Sequence, residues 1–283
     1  MCKPRPLSCS TRPSTWGFMK LNIPFLNKAP RVAVIRLSGT IAASARGSLS
    51  DETLAPIIEK AFKRGKPAAV ALVINSPGGS PVQSSMIAQR IRRLADEKDV
   101  PVHAFVEDVA ASGGYWLACS ADDIWADGAS IIGSIGVISA GFGAHVFLER
   151  QGIERRVHTA GKSKSTLDPF QKEKPEDVKR LKAILSEMHD LFIAQVKERR
   201  EDKLLLGEDL FTGEFWLAGR ALDLGLIDGI GHMETKLKEL YGEKVKFMRY
   251  GRKKSLLSRF GAQVATGGLG ALEERAEFAR YGL

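Results

Sequence analysis

The chain has 283 residues, 44% hydrophobic and 27% charged, which is enough for a core of one large or two small domains and is neither a disordered nor a fibrous composition. Its net charge of +9 sits at the ends: residues 1–31 hold six Lys or Arg and no acid, residues 236–260 hold nine basic and two acidic residues, and the body between is mildly acidic. No apolar run approaches the roughly 20 residues that span a bilayer, and three cysteines, two of them Cys2 and Cys9 in the head, exclude a disulfide framework or a Cys-x-x-Cys metal site.

Residues 1–30 are basic and lack an apolar stretch of their own, so they read as a flexible arm, or as sequence ahead of a start at Met19, and not as a cleaved secretory leader. RVAVIRLSGTI, from Arg31, is β-branched and apolar, the pattern of a buried strand. Asp51 opens a helix that places Leu54, Ile57, Ile58, Ala61 and Phe62 on one face and that Gly65 ends. Ala68–Ile74 is a second apolar strand running into Pro77-Gly78-Gly79. A helix with Ile87, Ile91 and Leu94 inward leads to a third strand, Val100–Val106, whose end Glu107 and Asp108 are expected to cap. After Ser112-Gly113, Gly114–Cys119 opens another helix, and Asp122–Ile138 predicts two short strands around Gly and Ser turns.

Beyond Gly141, residues 142–160 suggest a helix and then a strand, and residues 161–175 are polar and turn-rich. Pro175–Arg200 is the clearest helix, with acids in its first turn, arginines in its last and a stripe of Val178, Leu181, Leu185, Met188, Phe192 and Val196. Residues 211–231 give a turn, a short helix and a stop. Residues 31–248 are expected to form one domain, with 249–283 a basic, flexible tail outside its core. Alternating strands and helices at this spacing define an α/β fold with a mostly parallel sheet, whose strand carboxyl ends carry the ligand site. Both Gly-rich turns fall at such ends and are therefore expected to be neighbours.

A serine hydroxyl between Ala110-Ala111 and Gly113-Gly114 has space around it and backbone N–H groups close by. That suits a tight packing turn, and it equally suits a nucleophile beside an oxyanion site. A nucleophilic Ser112 needs a base. His103, His145, His158, His189 and His232 share no ligand spacing on a helix face and occupy no small-residue turn, so neither a histidine base nor a metal site is expected. A lysine base must be neutral, which requires lowering its pKa from about 10.4 by burial and hydrogen bonding. GKSKSTLDPF, around Lys164, is the lysine context that best meets this demand.

Taken in order, INSPGGS, AASGGYWLA, IIGSIGV, GKSKSTLDPF and FTGEFWLAGRALDLGLID resemble the successive blocks of the bacterial signal peptide peptidase A family, over roughly Arg31 to Leu240. The resemblance implies a Clp-protease/crotonase-like superhelix of strand-strand-helix units and a serine-type peptidase without a cofactor. It implies Ser112 as nucleophile and Lys164 as general base, with Lys162 the competitor. It also implies Ser134 as the hydroxyl that orients the amine, and Gly79 and Gly113 as oxyanion donors, Gly78 replacing Gly79 if the turn differs by one residue.

Peptide substrates follow from it: signal-peptide remnants, short peptides or unfolded segments. So does a homo-oligomeric ring in which adjacent subunits complete one site. Membrane members of the family carry an N-terminal anchor that this sequence does not display, so a cytoplasmic or peripherally membrane-associated protein is expected. The basic ends fit a peripheral contact with an anionic membrane, or a plain solvated surface. Nucleic acid is not an expected partner, because the basic runs lack interleaved aromatics. Two other readings stay open. One is a crotonase-type acyl-CoA hydratase or isomerase using carboxylates such as Glu107 and Asp108. The other is a non-catalytic membrane-associated scaffold of the same fold.

Overall fold

A computed structural model describes residues 29–43, 48–161, 163–251 and 275–283. Lys162, most of the basic N-terminal arm and residues 252–274 of the tail lie outside the described residues.

Strands β1 (Arg31–Ser38), β2 (Ala69–Ser76) and β3 (Val102–Ala111) form the centre of the sheet. They are joined by helices α1 (Asp51–Lys63) and α2 (Pro81–Lys98). Helix α3 (Gly113–Ala118) follows β3 directly, then come β4 (Asp123–Ala126) and β5 (Ile131–Gly133). Helices α4 (His145–Arg150) and α5 (Pro175–Arg200) lead to β6 (Phe215–Leu217), α6 (Ala218–Asp223), β7 (Gly229–Ile230), α7 (Met233–Tyr241) and β8 (Lys246–Tyr250). The sheet order is β6-β5-β3-β2-β1-β8, with β4 beside β3 and β7 beside β4. Every pairing is parallel except β5 with β6. The expected mostly parallel α/β architecture is therefore present.

The central strands read as continuous apolar runs because helices cover both faces of the sheet. On one face Ile35, Leu37, Leu72, Ile74 and Ala104 pack against Leu54, Ile58, Ile87, Ile91 and Leu117 of α1, α2 and α3. On the other, Val32, Val34, Ala71, Val73 and Phe105 meet Leu237 of α7. Ser50 and Ser80 cap α1 and α2 through the N–H groups of Thr53 and Gln83, each at 3.4 Å. Arg90 on α2 donates two bonds, 2.8 and 2.7 Å, to Asp51 on α1, a bidentate clamp between neighbouring helices. The Arg90 hydrogen bonds hold the Asp51 carboxyl below its usual range, against the opposing effect of burial.

Two sequence expectations change. The third strand does not stop at Val106 but continues to Ala111, through an irregularity in which Ile74 and Ser76 of β2 pair with Val106 and Ala110. Two extra residues are thus accommodated in β3, and the acids that seemed to end it project to the side: Glu107 pairs with Arg36, and Asp108 accepts from Asn75. The strand expected after α4 is absent among the described residues. Residues 151–156 and 158–161 are exposed and pair with no strand among the described residues.

Candidate active site

Parallel pairing brings the carboxyl ends of β2 and β3 to one edge, and each ends in a glycine-rich turn. Ala111 pairs with Gly133 of β5, and the Ser112 N–H donates to the Gly133 carbonyl at 2.8 Å. Ser112 itself has φ +51° and ψ −122°, a strained conformation for a residue with a side chain. It turns the chain from strand to helix in one residue, leaving its hydroxyl half-buried with no bond to the helix it precedes.

The second turn closes over the first. Ile41 donates to the Gly78 carbonyl and accepts from the Ser80 N–H, both at 2.8 Å. This bridge holds Gly79 at φ +140°, where a Cβ would lie 2.1 Å from the Ile41 carbonyl oxygen. A Cβ on Gly113 would lie 2.4 Å from Ser84 Oγ and 3.3 Å from the Gly79 nitrogen. Only glycines permit two backbones to approach so closely. The Gly78 N–H is engaged by Ser76 Oγ at 3.3 Å. The Gly79 N–H takes no part in the Ile41 bridge, and the Gly113 N–H opens α3, where a first-turn N–H has no intrahelical acceptor.

A cleft of about 740 Å³ lies over this edge, lined on its polar side by Ser112, Ser134, Gly79 and Gly113. Ser134 has φ +53°, and its N–H donates to the Glu214 carbonyl at 2.6 Å. The apolar side is built by Trp116 of α3, stacked on Phe192 of α5 at 4.8 Å, with Met188 and Ile138. Beneath the elbow, burial pushes the Cys119 thiol up to about 11, so it remains protonated and is no competing nucleophile. Among the described residues no three His, Cys, Asp or Glu side chains converge as a metal-holding group.

Ser112, Ser134, Gly79 and Gly113 are therefore neighbours, and Lys164 is not with them. It stands exposed in a turn, its N–H on the Gly161 carbonyl at 3.2 Å, and it does not line the cleft. The segment that carries it, with α4 and the first half of α5, is the least buried part of the described chain. Phe142 is 94% exposed, and Phe147, Ile153 and Ile184 are exposed as well. Trp116 and Tyr281 in the cleft escaped the sequence reading, and His189 was weighed there only as a base or metal ligand. His189, on α5, donates from Nε2 to the Ile135 carbonyl at 3.0 Å. Trp116 is hidden in the run after Gly114. Tyr281 comes from the C-terminal end, where Phe278 and Tyr281 share a helical i, i+3 spacing that the sequence does contain.

The family model for peptidase family S49 matches residues 95–246, more than half of the chain, and the chain belongs to that family. Over 288 aligned residues the chain is 48% identical to the Na(+)/H(+) antiporter NhaA of Brucella abortus (strain 2308), covering 94% of this chain and 39% of that protein. It thus spans only about two fifths of that relative. It is 37% identical over 209 residues to the putative protease SohB of Buchnera aphidicola subsp. Baizongia pistaciae, covering 74% of this chain and 58% of that one. A solved structure of a membrane-bound stomatin-specific protease covers 80% of this chain at 16% identity, with a TM-score of 0.49. Among the described residues no helix is long and apolar enough to cross a membrane.

Proposed function

We propose that this chain is a serine endopeptidase in which Ser112 is the nucleophile and Lys164 the general base. Neutral Lys164 accepts the Ser112 proton as the hydroxyl oxygen attacks a peptide carbonyl. The N–H groups of Gly79 and Gly113 hold the oxyanion of the tetrahedral intermediate, and Ser134 orients the amine. Lys164 then protonates the leaving amine and activates the water that releases the acyl enzyme. The observation that carries the reading is the strained strand-to-helix elbow at Ser112, φ +51°, facing the close pair of Gly79 and Gly113. Gly79 is preferred to Gly78 as donor because the Gly78 N–H is already bonded to Ser76 Oγ.

Exposed Lys164 and the cleft belong together if a second copy of the chain supplies the lysine, in a homo-oligomeric ring. The apolar side chains on the lysine-bearing arm support this, since Phe142, Phe147 and Ile153 are all exposed there, and large apolar groups left open in this way suit a partner surface. The cleft between Trp116, Phe192 and Met188 suits apolar side chains of signal-peptide remnants, short peptides or unfolded segments. Basic terminal segments would hold such a ring against an anionic membrane surface. Glu107 and Asp108 line a different cavity, with Arg36 and Asn75, which weighs against an acyl-CoA hydratase built on those acids.

A fluorophosphonate probe and a peptide substrate test the reading. Ser112→Ala is expected to lose the label, and Ser112→Ala and Lys164→Ala each to lose about 10³-fold or more in turnover. His189→Ala should retain most activity. Retained labelling and turnover in Lys164→Ala would remove lysine as the base.

A further inference from the structure

The last nine residues return to the cleft. Residues 275–279 form a short helical turn, and all of 275–283 is exposed except half-buried Phe278 and Tyr281, which is only 9% exposed. The Tyr281 ring packs with Val109, Ala111 and Ile131 and meets Phe215 edge-on at 5.2 Å. Its hydroxyl lies 3.4 Å from both the Pro77 carbonyl and Ser134 Oγ and donates to either. Glu277 and Arg280 line the same cleft and are paired with each other at 3.1 Å.

We propose that this C-terminal segment is a built-in competitor of the catalytic lysine: Tyr281 seats its hydroxyl on Ser134 and so excludes the Lys164 amine from the position where it would act. The inference rests on the reading above, in which Ser134 orients Lys164. The Ser134 N–H bond to the Glu214 carbonyl fixes the backbone that presents this hydroxyl, and Tyr281 meets the hydroxyl where it stands. One buried ring and one half-buried ring anchor the segment, and the rest of it faces solvent. That grip is strong enough to bias the site and weak enough to be displaced by the lysine-bearing arm. The chain is thus divided between a tail-seated form that is inactive and a tail-free form that is competent, and the observed rate scales with the competent fraction.

The test uses the full-length chain carrying Tyr281→Ala. Its kcat/KM for a peptide substrate is expected to rise about fivefold over wild type as the competent fraction grows. A synthetic peptide with the sequence of residues 275–283 should return the variant to the wild-type rate, and the same peptide with Ala in place of its tyrosine should not. Thermal unfolding of Tyr281→Ala near the wild-type midpoint shows that the gain does not come from a loosened fold. Unchanged or lower kcat/KM in Tyr281→Ala, or no inhibition by the peptide, overturns the inference; if Lys164→Ala is inactive in the same assay, the serine–lysine reading still stands. Full turnover in Lys164→Ala removes that reading, and this competition with it.

Discussion

Ser112 owes its exposure to a backbone conformation that costs of order 1–3 kcal/mol and persists only because its neighbours over-determine it. The Gly133 carbonyl accepts its N–H at 2.8 Å, and its own carbonyl accepts the Trp116 N–H at 3.0 Å. The glycines opposite carry the same requirement in another form, since a side chain at either would push the two turns apart. Gly79→Ala is expected to lower stability by about 3 kcal/mol or more, through backbone clash at positive φ. It should also slow Ser112 labelling by about 10²-fold as the paired donors separate. Gly128→Ala is the control, because nothing lies within 4 Å of a Cβ there. Denaturant midpoints and labelling rates measured side by side on both variants check this.

Helix α5 spans 26 residues, but Phe192, Val196 and Arg200, all in its second half, are its only buried residues. Its end is tied down by two adjacent side chains, Arg199, which donates to the Cys119 and Ala121 carbonyls at 3.1 and 3.0 Å, and the more deeply buried Arg200. Arg200 donates to Asp228 at 2.7 Å and twice to the Gly225 carbonyl, at 3.0 and 2.8 Å, while Asp228 also accepts from the Ile124 N–H and from Lys203. Removing Arg200 leaves the Asp228 carboxylate with Lys203 as its remaining counter-charge and takes both side-chain donors from the Gly225 carbonyl. Arg200→Ala is therefore expected to cost about 3–5 kcal/mol, read as a lower urea midpoint with an unchanged slope. The apolar stripe of α5 was visible in the sequence, whereas its uneven burial was not. Periodicity identifies a face, and only the position of the sheet decides how much of that face is covered.

The whole molecule is divided between a packed α/β body holding Ser112 and an exposed arm holding Lys164. If copies of the chain exchange that lysine, two inactive variants should complement each other. An equal mixture of Ser112→Ala and Lys164→Ala chains, dissociated and reassembled together, is expected to recover roughly a quarter of wild-type turnover by random pairing. No recovery in a mixture that sedimentation shows to be assembled would place serine and lysine on one chain.

The strands, the two glycine turns and Ser112 were legible because their signals are local: β-branched runs, a Pro-Gly-Gly turn, and small residues around a hydroxyl. Family membership followed the order of those blocks. Tertiary structure decided what depends on distant segments meeting. It carried β3 through Glu107 and Asp108, because two extra residues fit as a bulge against β2, and a bulge has no signature in hydrophobic pattern. It left Lys164 exposed, because a lysine loop is the same string of residues whether it folds onto its own cleft or reaches outward. It also returned Tyr281 to Ser134 across 147 residues, a contact made by the shape of the cleft and not by any neighbour in sequence.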